Sequence, residues 1–340
     1  MILSDLGRFA LIALAAVPGL PLPVLLLLIF ASAMLAPPFQ AARSALLPRI
    51  LTGDRYVIGL SAQSIASQTA QMLGYAVGGT IAAVNGHAAL LINALSFGVS
   101  ALLLWRGVRP RPAATGPVVR RSLLRETGDG VRLVFGHRVM RPIALVVFGS
   151  VAILIVPEAL AAAWAADLGG GSVTAGLLMA ALPIGNLVGA LSVRALAPAR
   201  RLRLVKPLLL ASPSMLVPAL VDPPAAVVFL LGVCTGVTAT VLVPLNGLFV
   251  SVLPQDFRAR AFGVMQGGMQ VSYAVAVLTT GALAELLSVP VMVGAWGVCG
   301  LVVMATAVRS WPRPAVIDAE VARAAERAHP RDTVSQGNPP

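Results

Sequence analysis

The amino-acid sequence predicts an all-α membrane protein that crosses a lipid bilayer many times. Hydrophobic residues make up 58% of its 340 residues, charged residues make up only 11%, and the mean hydropathy is +0.88. A water-soluble domain usually has about 25% charged residues. Apolar runs long enough to cross the hydrocarbon core recur along the chain. Because an open strand would leave backbone groups unpaired in lipid, each run is expected to be a helix.

The apolar runs predict ten transmembrane helices, four before a long basic segment and six after it. Their approximate ranges are 6–20, 22–43, 56–84, 87–105, 142–164, 174–196, 205–221, 224–250, 260–286 and 289–308. The runs divide the chain into an incomplete N-terminal half, a basic cytoplasmic loop, a six-helix C-terminal half and a disordered cytoplasmic tail. The corresponding ranges are 1–106, 107–140, 141–311 and 312–340. Residues 119–138 of the loop predict either an amphipathic helix on the inner membrane face or a solvated linker.

All basic residues lie in alternate loops or in the helix ends that adjoin them. The loops between these, such as AVNGHAA and ELLSVP, contain no Lys or Arg. The positive-inside rule places the basic loops in the cytoplasm, together with both chain termini. The predicted location is therefore the cell membrane, plasma or inner. Because the net charge of +12 is explained by topology, nucleic acid is not an expected partner.

One short polar segment occurs twice in the chain. PPFQAARSALLP at 37–48 and VPLNGLFVSVLP at 243–254 share a proline, an amide and a final Leu-Pro, 206 residues apart. With a four-residue deletion the offset becomes 202 and pairs Gln68 with Gln270. This spacing predicts two halves related by a parallel internal repeat. Transporters built in this way bind substrate between the halves, near the middle of the bilayer.

The repeat leaves two helices of the second half, 142–164 and 174–196, without counterparts in the first. Subtracting the offset from the start of the second half, near Arg141, places the start of the first half about 65 residues before Met1. Twelve helices would then complete the repeat. The expectation is that the 340-residue chain is an N-terminally shortened form that does not transport by itself.

Three further stretches stand out: SDLGRFALIA, ARSALLPRIL before QMLGYAVGG, and VPEALAAAWAADLGGG. They resemble the major facilitator superfamily, in particular its drug- and siderophore-exporting branch, which includes enterobactin and macrolide exporters. The resemblance, over residues 1–310, implies a six-plus-six helix fold and proton-coupled efflux of a small amphipathic compound by alternating access. Two departures exist. Tyr75 stands where these exporters carry a proline, and the family's cytoplasmic loop signature does not precede the first helix.

Glu158 is the first candidate for coupling, because an acid near the centre of a membrane helix costs roughly 2.5–3.5 kcal/mol on insertion scales. It follows Pro157 and lies 17 residues past Arg141, which is about 25 Å along a helix. Two interpretations stay open. Glu158 is either a proton acceptor that faces a central cavity or a solvated acid at the outer end of its helix.

Amide and phenol side chains are the candidates for substrate binding. Gln40 and Asn246 follow Pro38 and Pro244, where a helix is expected to lose a backbone hydrogen bond. Each amide either satisfies the freed carbonyl or lines the substrate path. A polar stripe on the following helices is more typical of a cavity than of a lipid-facing surface, and its members are Gln68, Gln71, Gln270 and Tyr273.

Other residues are candidates for a gate or for helix packing. Asp5 and Arg8 lie three residues apart at the cytoplasmic end of the first helix, which predicts a local ion pair or a gate. Arg43, in the repeated segment, is a further gate candidate. Gly74 and Gly78 form a small-xxx-small pair that predicts close helix packing, and Gly79 ends the same glycine element.

The sequence favours a transporter over an enzyme. Its three histidines lack metal-ligand spacing, and no phosphate-binding loop or activated-serine turn occurs. No cofactor and no metal site are therefore expected. The expected partners are membrane lipid, a small-molecule substrate and protons, and the expected state is a monomer. Two alternatives to an autonomous exporter stay open: an inactive shortened transporter, and a permease driven by a separate ATPase.

Overall fold

The computed structural model describes residues 1–50, 54–108, 123–194, 198–253, 258–313, 315–317, 319–320 and 322–323. These residues form α-helices and one short 3-10 helix, Val217–Val221, and contain no strand. The helices are α1 Ile2–Ala15, α2 Leu22–Met34, α3 Ala36–Ile50, α4 Asp54–Val84, α5 Gly86–Gly107, α6 Leu123–Gly136, α7 Met140–Asp167, α8 Ser172–Arg194, α9 Pro198–Ser214, α10 Ala225–Ala239, α11 Leu242–Val252, α12 Arg258–Leu283 and α13 Val289–Arg309.

Eight segments of the described chain are long and apolar enough to cross a membrane, so the protein is an all-helical, multi-pass membrane protein. They are Leu22–Gln40, Gly86–Gly107, Met140–Ala159, Ser172–Ser192, Arg203–Val221, Ala225–Val252, Arg260–Leu283 and Val289–Arg309. Each coincides with a predicted run. The run at 6–20 overlaps α1, which has only 14 residues. The run at 56–84 belongs to α4, which is long enough but rich in Ser, Gln and Thr. The count of ten therefore stays a prediction.

The chain separates into two compact units, residues 1–118 with 170–180 and residues 119–169 with 181–340. In the first unit, α1 packs mainly on α5. Small residues of α5 at helical spacing, Ala94, Gly98 and Ala101, make this approach possible. Ala94 and Ala101 are almost fully buried, and a Cβ added at Gly98 would lie 3.4 Å from the ring of Phe9.

The second unit is built around α7, which packs against α12, α13, α6 and α11. Nearly half of the α7 residues are buried, including Met140, Ile143 and Trp164. Phe148 of α7 lies directly over Gly268 of α12, where any Cβ would overlap the ring. On α13, the indole N–H of Trp296 donates a hydrogen bond to the Ala152 carbonyl at 2.9 Å.

Two of the predicted runs are broken helices rather than continuous ones. The run at 22–43 contains α2 and the start of α3, and the run at 224–250 contains α10 and most of α11. The second helix of each pair begins at Ala36 and at Leu242, which are 206 residues apart. The two copies of the repeated segment thus share a helix break at the same position, whereas the repeat of whole halves stays a prediction.

The basic segment before α7 and the tail after α13 are both partly helical. Within the predicted amphipathic segment 119–138, α6 packs on α12 and α7 and buries Val134 completely. In the predicted disordered tail, residues 315–317 and 319–320 are helical, and a Glu320 carboxylate oxygen lies 3.5 Å from His137 Nε2. Residues 109–122 and 324–340, and with them the disorder expected for the rest of the tail, lie outside the described residues.

Candidate functional site

The structure brings two candidate residues together, Glu158 of α7 and Tyr273 of α12. The half-buried Glu158 carboxyl lies close enough to the Tyr273 phenol to interact with it electrostatically. The two helices run parallel, since Phe148 meets Gly268 nearer their N-terminal ends and Glu158 interacts electrostatically with Tyr273 further along. Gly268 is the reason for the close approach, because a side chain there would hold the helices apart.

Glu158 does not lie at a helix end. The α7 helix continues for nine residues beyond it, to Asp167, which is about 13 Å of further helix. The candidate membrane span of this helix ends at Ala159, so both interpretations of Glu158, a proton acceptor facing a cavity and a solvated acid at the outer end, stay predictions. Pro157 lies directly before it inside α7, and a proline there removes the helical hydrogen bond to the carbonyl of Ile153.

The surface beside this pair is polar and accessible. Tyr273 is 45% exposed within its unit, and Gln270 lies exposed three residues earlier on the same side of α12. Further along α7 and α12, Trp164 Nε1 and Thr280 Oγ1 are buried without a hydrogen-bond partner among the described residues. Unpaired buried polar atoms cost about 1–3 kcal/mol each. This helix pair therefore carries four polar side chains besides Glu158, namely Tyr273, Gln270, Trp164 and Thr280. A purely structural contact between membrane helices would avoid such groups.

Gln40 and Asn246 each follow a proline near the start of a helix. Pro38 and Pro244 are the third residues of α3 and α11, where a backbone N–H has no partner within the helix. Each proline thus removes no hydrogen bond within α3 or α11, and both interpretations of the amides, a partner for a freed carbonyl and a lining of the substrate path, stay predictions. Both amide side chains are exposed within their units.

The first unit has its own polar face on α4. Gln68 is half-buried, and the exposed Gln71 donates a hydrogen bond from its side-chain amide to the hydroxyl of Tyr75 at 3.1 Å. Tyr75 is the residue that stands where the exporters resembled above carry a proline. The structure shows that this tyrosine fits the α4 helix and pairs with the candidate Gln71.

Asp5 and Arg8 contact other residues rather than each other. The buried Asp5 carboxylate accepts a hydrogen bond from the Ser100 hydroxyl at 2.6 Å, and no ion pair joins it to Arg8 among the described residues. The local ion pair is therefore a wrong prediction. The Asp5 carboxylate thus has its hydrogen-bond partner on α5, the helix against which α1 packs.

Arg8 contacts residues on both sides of the break between α2 and α3. Its Nε donates to the Ser32 carbonyl at 3.3 Å, in the last turn of α2, and the same carbonyl accepts from the Leu35 N–H at 3.1 Å. The guanidinium also lies over the Phe97 ring at 5.2 Å and the Phe39 ring at 6.0 Å. These contacts give Arg8 a packing role. Arg43 lies half-buried further along α3.

The predicted packing glycines are in the wrong register. A Cβ added at Gly74 or Gly78 would meet nothing within 4 Å among the residues that the structure describes. Gly79 instead makes the close contact. A Cβ added there would lie 2.5 Å from the Ser172 carbonyl oxygen and 2.8 Å from the Cα of Gly176. A small-xxx-small pair can contact a neighbour on only one helix face, and the sequence did not show which face this was.

This register predicts opposite effects for two adjacent substitutions. Gly79→Ala is expected to destabilise the folded protein by about 1–3 kcal/mol, because the methyl group would overlap the backbone at Ser172 and Gly176. Gly78→Ala is expected to be neutral or to stabilise by up to about 1 kcal/mol, since alanine favours helix and the space is open. Unfolding of the detergent-purified variants in SDS measures both. Equal losses from the two substitutions would contradict the assigned register.

Another glycine contact, which the sequence also encodes, joins α8 and α10. GNLVG at 185–189 and GVCTG at 232–236 both have the G-x-x-x-G spacing, which permits close approach of membrane helices. In the structure Ala181 meets Gly232, Gly185 meets Gly236, and Gly189 meets Thr240. A Cβ at Gly236 would lie 2.9 Å from the Cα of Gly185 and would overlap the Leu182 carbonyl. Counting this spacing along the second half would have found the contact.

Comparison with known proteins adds no identity to these observations. No protein-family model matches the chain, and no curated protein matches it significantly. The resemblance to the major facilitator superfamily therefore stays a hypothesis based on the residues quoted above. Among the described residues, no group of three His, Cys, Asp or Glu side chains could hold a metal ion.

Proposed function

We propose that the protein is a secondary active transporter of the cell membrane, coupled to protons through Glu158. The observation that carries the proposal is the electrostatic interaction between Glu158 and Tyr273, inside two helices that are long and apolar enough to span a bilayer. An ionisable side chain within a membrane helix is costly, and such residues usually mark ion or substrate paths.

The pair can bind and release a proton without leaving the ionised Glu158 carboxylate unpaired in the membrane. When Glu158 is ionised, the Tyr273 hydroxyl can donate a hydrogen bond to it. When Glu158 is protonated, the carboxyl is neutral and can itself donate. The exposed fraction of Tyr273, 45%, supports access of the pair to water or solute. Pro157 locally weakens α7, so the acid can move between two environments as alternating access requires.

The substrate class that suits this surface is a small amphipathic compound. Gln270 and Tyr273 supply hydrogen-bonding groups, and exposed apolar neighbours on α12, Val271 and Val275, supply apolar surface. Such a mixture favours a solute with an apolar body and a few polar groups, of which drugs and siderophores are examples. Outward transport rests on the family resemblance.

Proton movement driven by solute tests the proposal whichever compound is the natural substrate. The full chain, in liposomes loaded with a pH-sensitive dye, is expected to move protons when amphipathic drugs or catechol-type chelators are added. The exchange should disappear with a protonophore. The expectation that the 340-residue chain does not transport would then be wrong. A folded protein that moves neither protons nor solute, or that moves solute only with a copurified ATPase, would overturn the proposal.

A further inference from the structure

A cleft of about 660 Å³ lies between α7 and α13, beside the turn that joins α6 to α7. This volume is within the range of small-molecule sites. Its walls are formed by Arg138, Arg141, Pro142, Leu145 and Val146 on one side and by Val303, Met304, Thr306, Ala307 and Ser310 on the other. None of these residues belongs to the Glu158–Tyr273 site.

The spacing of the lining residues gives the cleft a direction. On each helix they recur at three- or four-residue intervals, so they occupy one face. The two arginines and Ser310 lie at one end, where α7 begins and α13 ends, and Leu145 and Val303 lie at the other. Leu145 is seven residues beyond Arg138, which corresponds to about 10 Å of helix. The cleft is therefore basic at its mouth and apolar in its depth.

The mouth of the cleft is suited to an anion. Arg138 and Arg141 are exposed, and neither forms an ion pair with an acidic group in the part of the chain that the structure describes. The positive end of the α7 dipole adds to their field. Thr306 and Ser310 direct their hydroxyls to the carbonyls of Val303 and Ala307. The two guanidinium groups, which suit phosphate geometry, are thus the groups that would hold the anion.

The deeper part of the cleft is suited to a hydrocarbon chain. Leu145 is 48% exposed and Val303 is 49% exposed, and the almost fully buried Val146 and Met304 close the base. A soluble phosphate would leave this apolar part unused. A phospholipid would use both parts, because its phosphate and its acyl chain are joined at about this separation.

We propose that this cleft binds one anionic phospholipid, with its phosphate on Arg138 and Arg141 and one acyl chain along Leu145 and Val303. Basic pockets between membrane helices on the cytoplasmic side bind such headgroups, and the basic loops place this end of α7 on that side. Charge complementarity selects an anionic lipid, since a zwitterionic headgroup would bring its own cation towards the arginines. The proposal does not depend on transport.

Native mass spectrometry of the full detergent-purified chain tests the site. The protein is titrated with dioleoyl phosphatidylglycerol, with dioleoyl phosphatidylcholine, and with inorganic phosphate as competitor. Wild type is expected to retain one phosphatidylglycerol most tightly and to release it little when phosphate is added. The Arg138→Gln/Arg141→Gln variant is expected to bind it about thirtyfold more weakly, at about 1 kcal/mol for each arginine.

A matched control separates the cleft from the general basic surface. Arg132→Gln/Arg203→Gln removes the same charge from exposed positions outside the cleft, and its affinity should stay within about twofold of wild type. Leu145→Asn should weaken phosphatidylglycerol binding without increasing competition by phosphate. Equal losses in the control and cleft variants, displacement of the lipid by inorganic phosphate, or equal retention of phosphatidylcholine would each overturn the proposal.

Discussion

Glu158→Gln is expected to slow proton-coupled transport about a hundredfold or more while leaving substrate affinity within about threefold of wild type. The amide keeps the size and hydrogen-bonding capacity of the carboxyl but cannot bind or release a proton near neutral pH. A positioned acid or base typically contributes a factor of about 10²–10⁴ to a proton-transfer step. Dye-loaded liposomes measure the proton step, and equilibrium binding of the same solute in detergent measures affinity.

Two companion variants make this prediction specific to the electrostatic interaction between Glu158 and Tyr273. Tyr273→Phe removes the hydroxyl that interacts electrostatically with Glu158 and is expected to slow the proton step about tenfold, which corresponds to about 1.4 kcal/mol. Glu285→Gln changes an exposed acid beyond the end of α12 and should behave as wild type. Coupled transport by Glu158→Gln at the wild-type rate across a pH series would show that Glu158 is not the coupling acid.

Gly236→Leu is expected to destabilise the second unit by about 3 kcal/mol, at the upper end of the usual range for overpacking. The added side chain would have to displace backbone, because Gly185 and the Leu182 carbonyl occupy the space around the Gly236 Cα. Backbone atoms of a packed membrane helix cannot move aside as a flexible side chain can. Gly185→Leu, on the opposite helix, should have a similar effect for the same reason.

Unfolding of the purified protein in SDS, followed by helix content, measures these losses. Gly263→Leu is the matched control, since a Cβ at this exposed position of α12 would meet nothing within 4 Å. It should stay within about 1 kcal/mol of wild type. If Gly236→Leu is as stable as this control, the α8–α10 contact is not as close as the structure indicates.

The sequence by itself determined the helical membrane class of the protein and most of its membrane-spanning segments. Hydrocarbon forces every backbone group to find its partner within a helix, so a count of consecutive apolar residues is enough to locate a span. Eight candidate spans coincide with predicted runs for this reason. The sequence also showed that 37–48 and 243–254 are alike, and the shared feature is a helix break before Pro38 and Pro244.

The pairing of helices was decided only by the tertiary structure. An apolar helix surface has little sequence pattern when lipid surrounds it, because lipid-facing and helix-facing residues can both be Leu, Val or Ala. The sequence therefore identified glycines on α4 but not that Gly79, rather than Gly74 or Gly78, is the one in contact. It identified Glu158 and Tyr273 separately, 115 residues apart. Only the approach of α7 to α12, which Gly268 permits by leaving room for Phe148, places the acid beside the phenol.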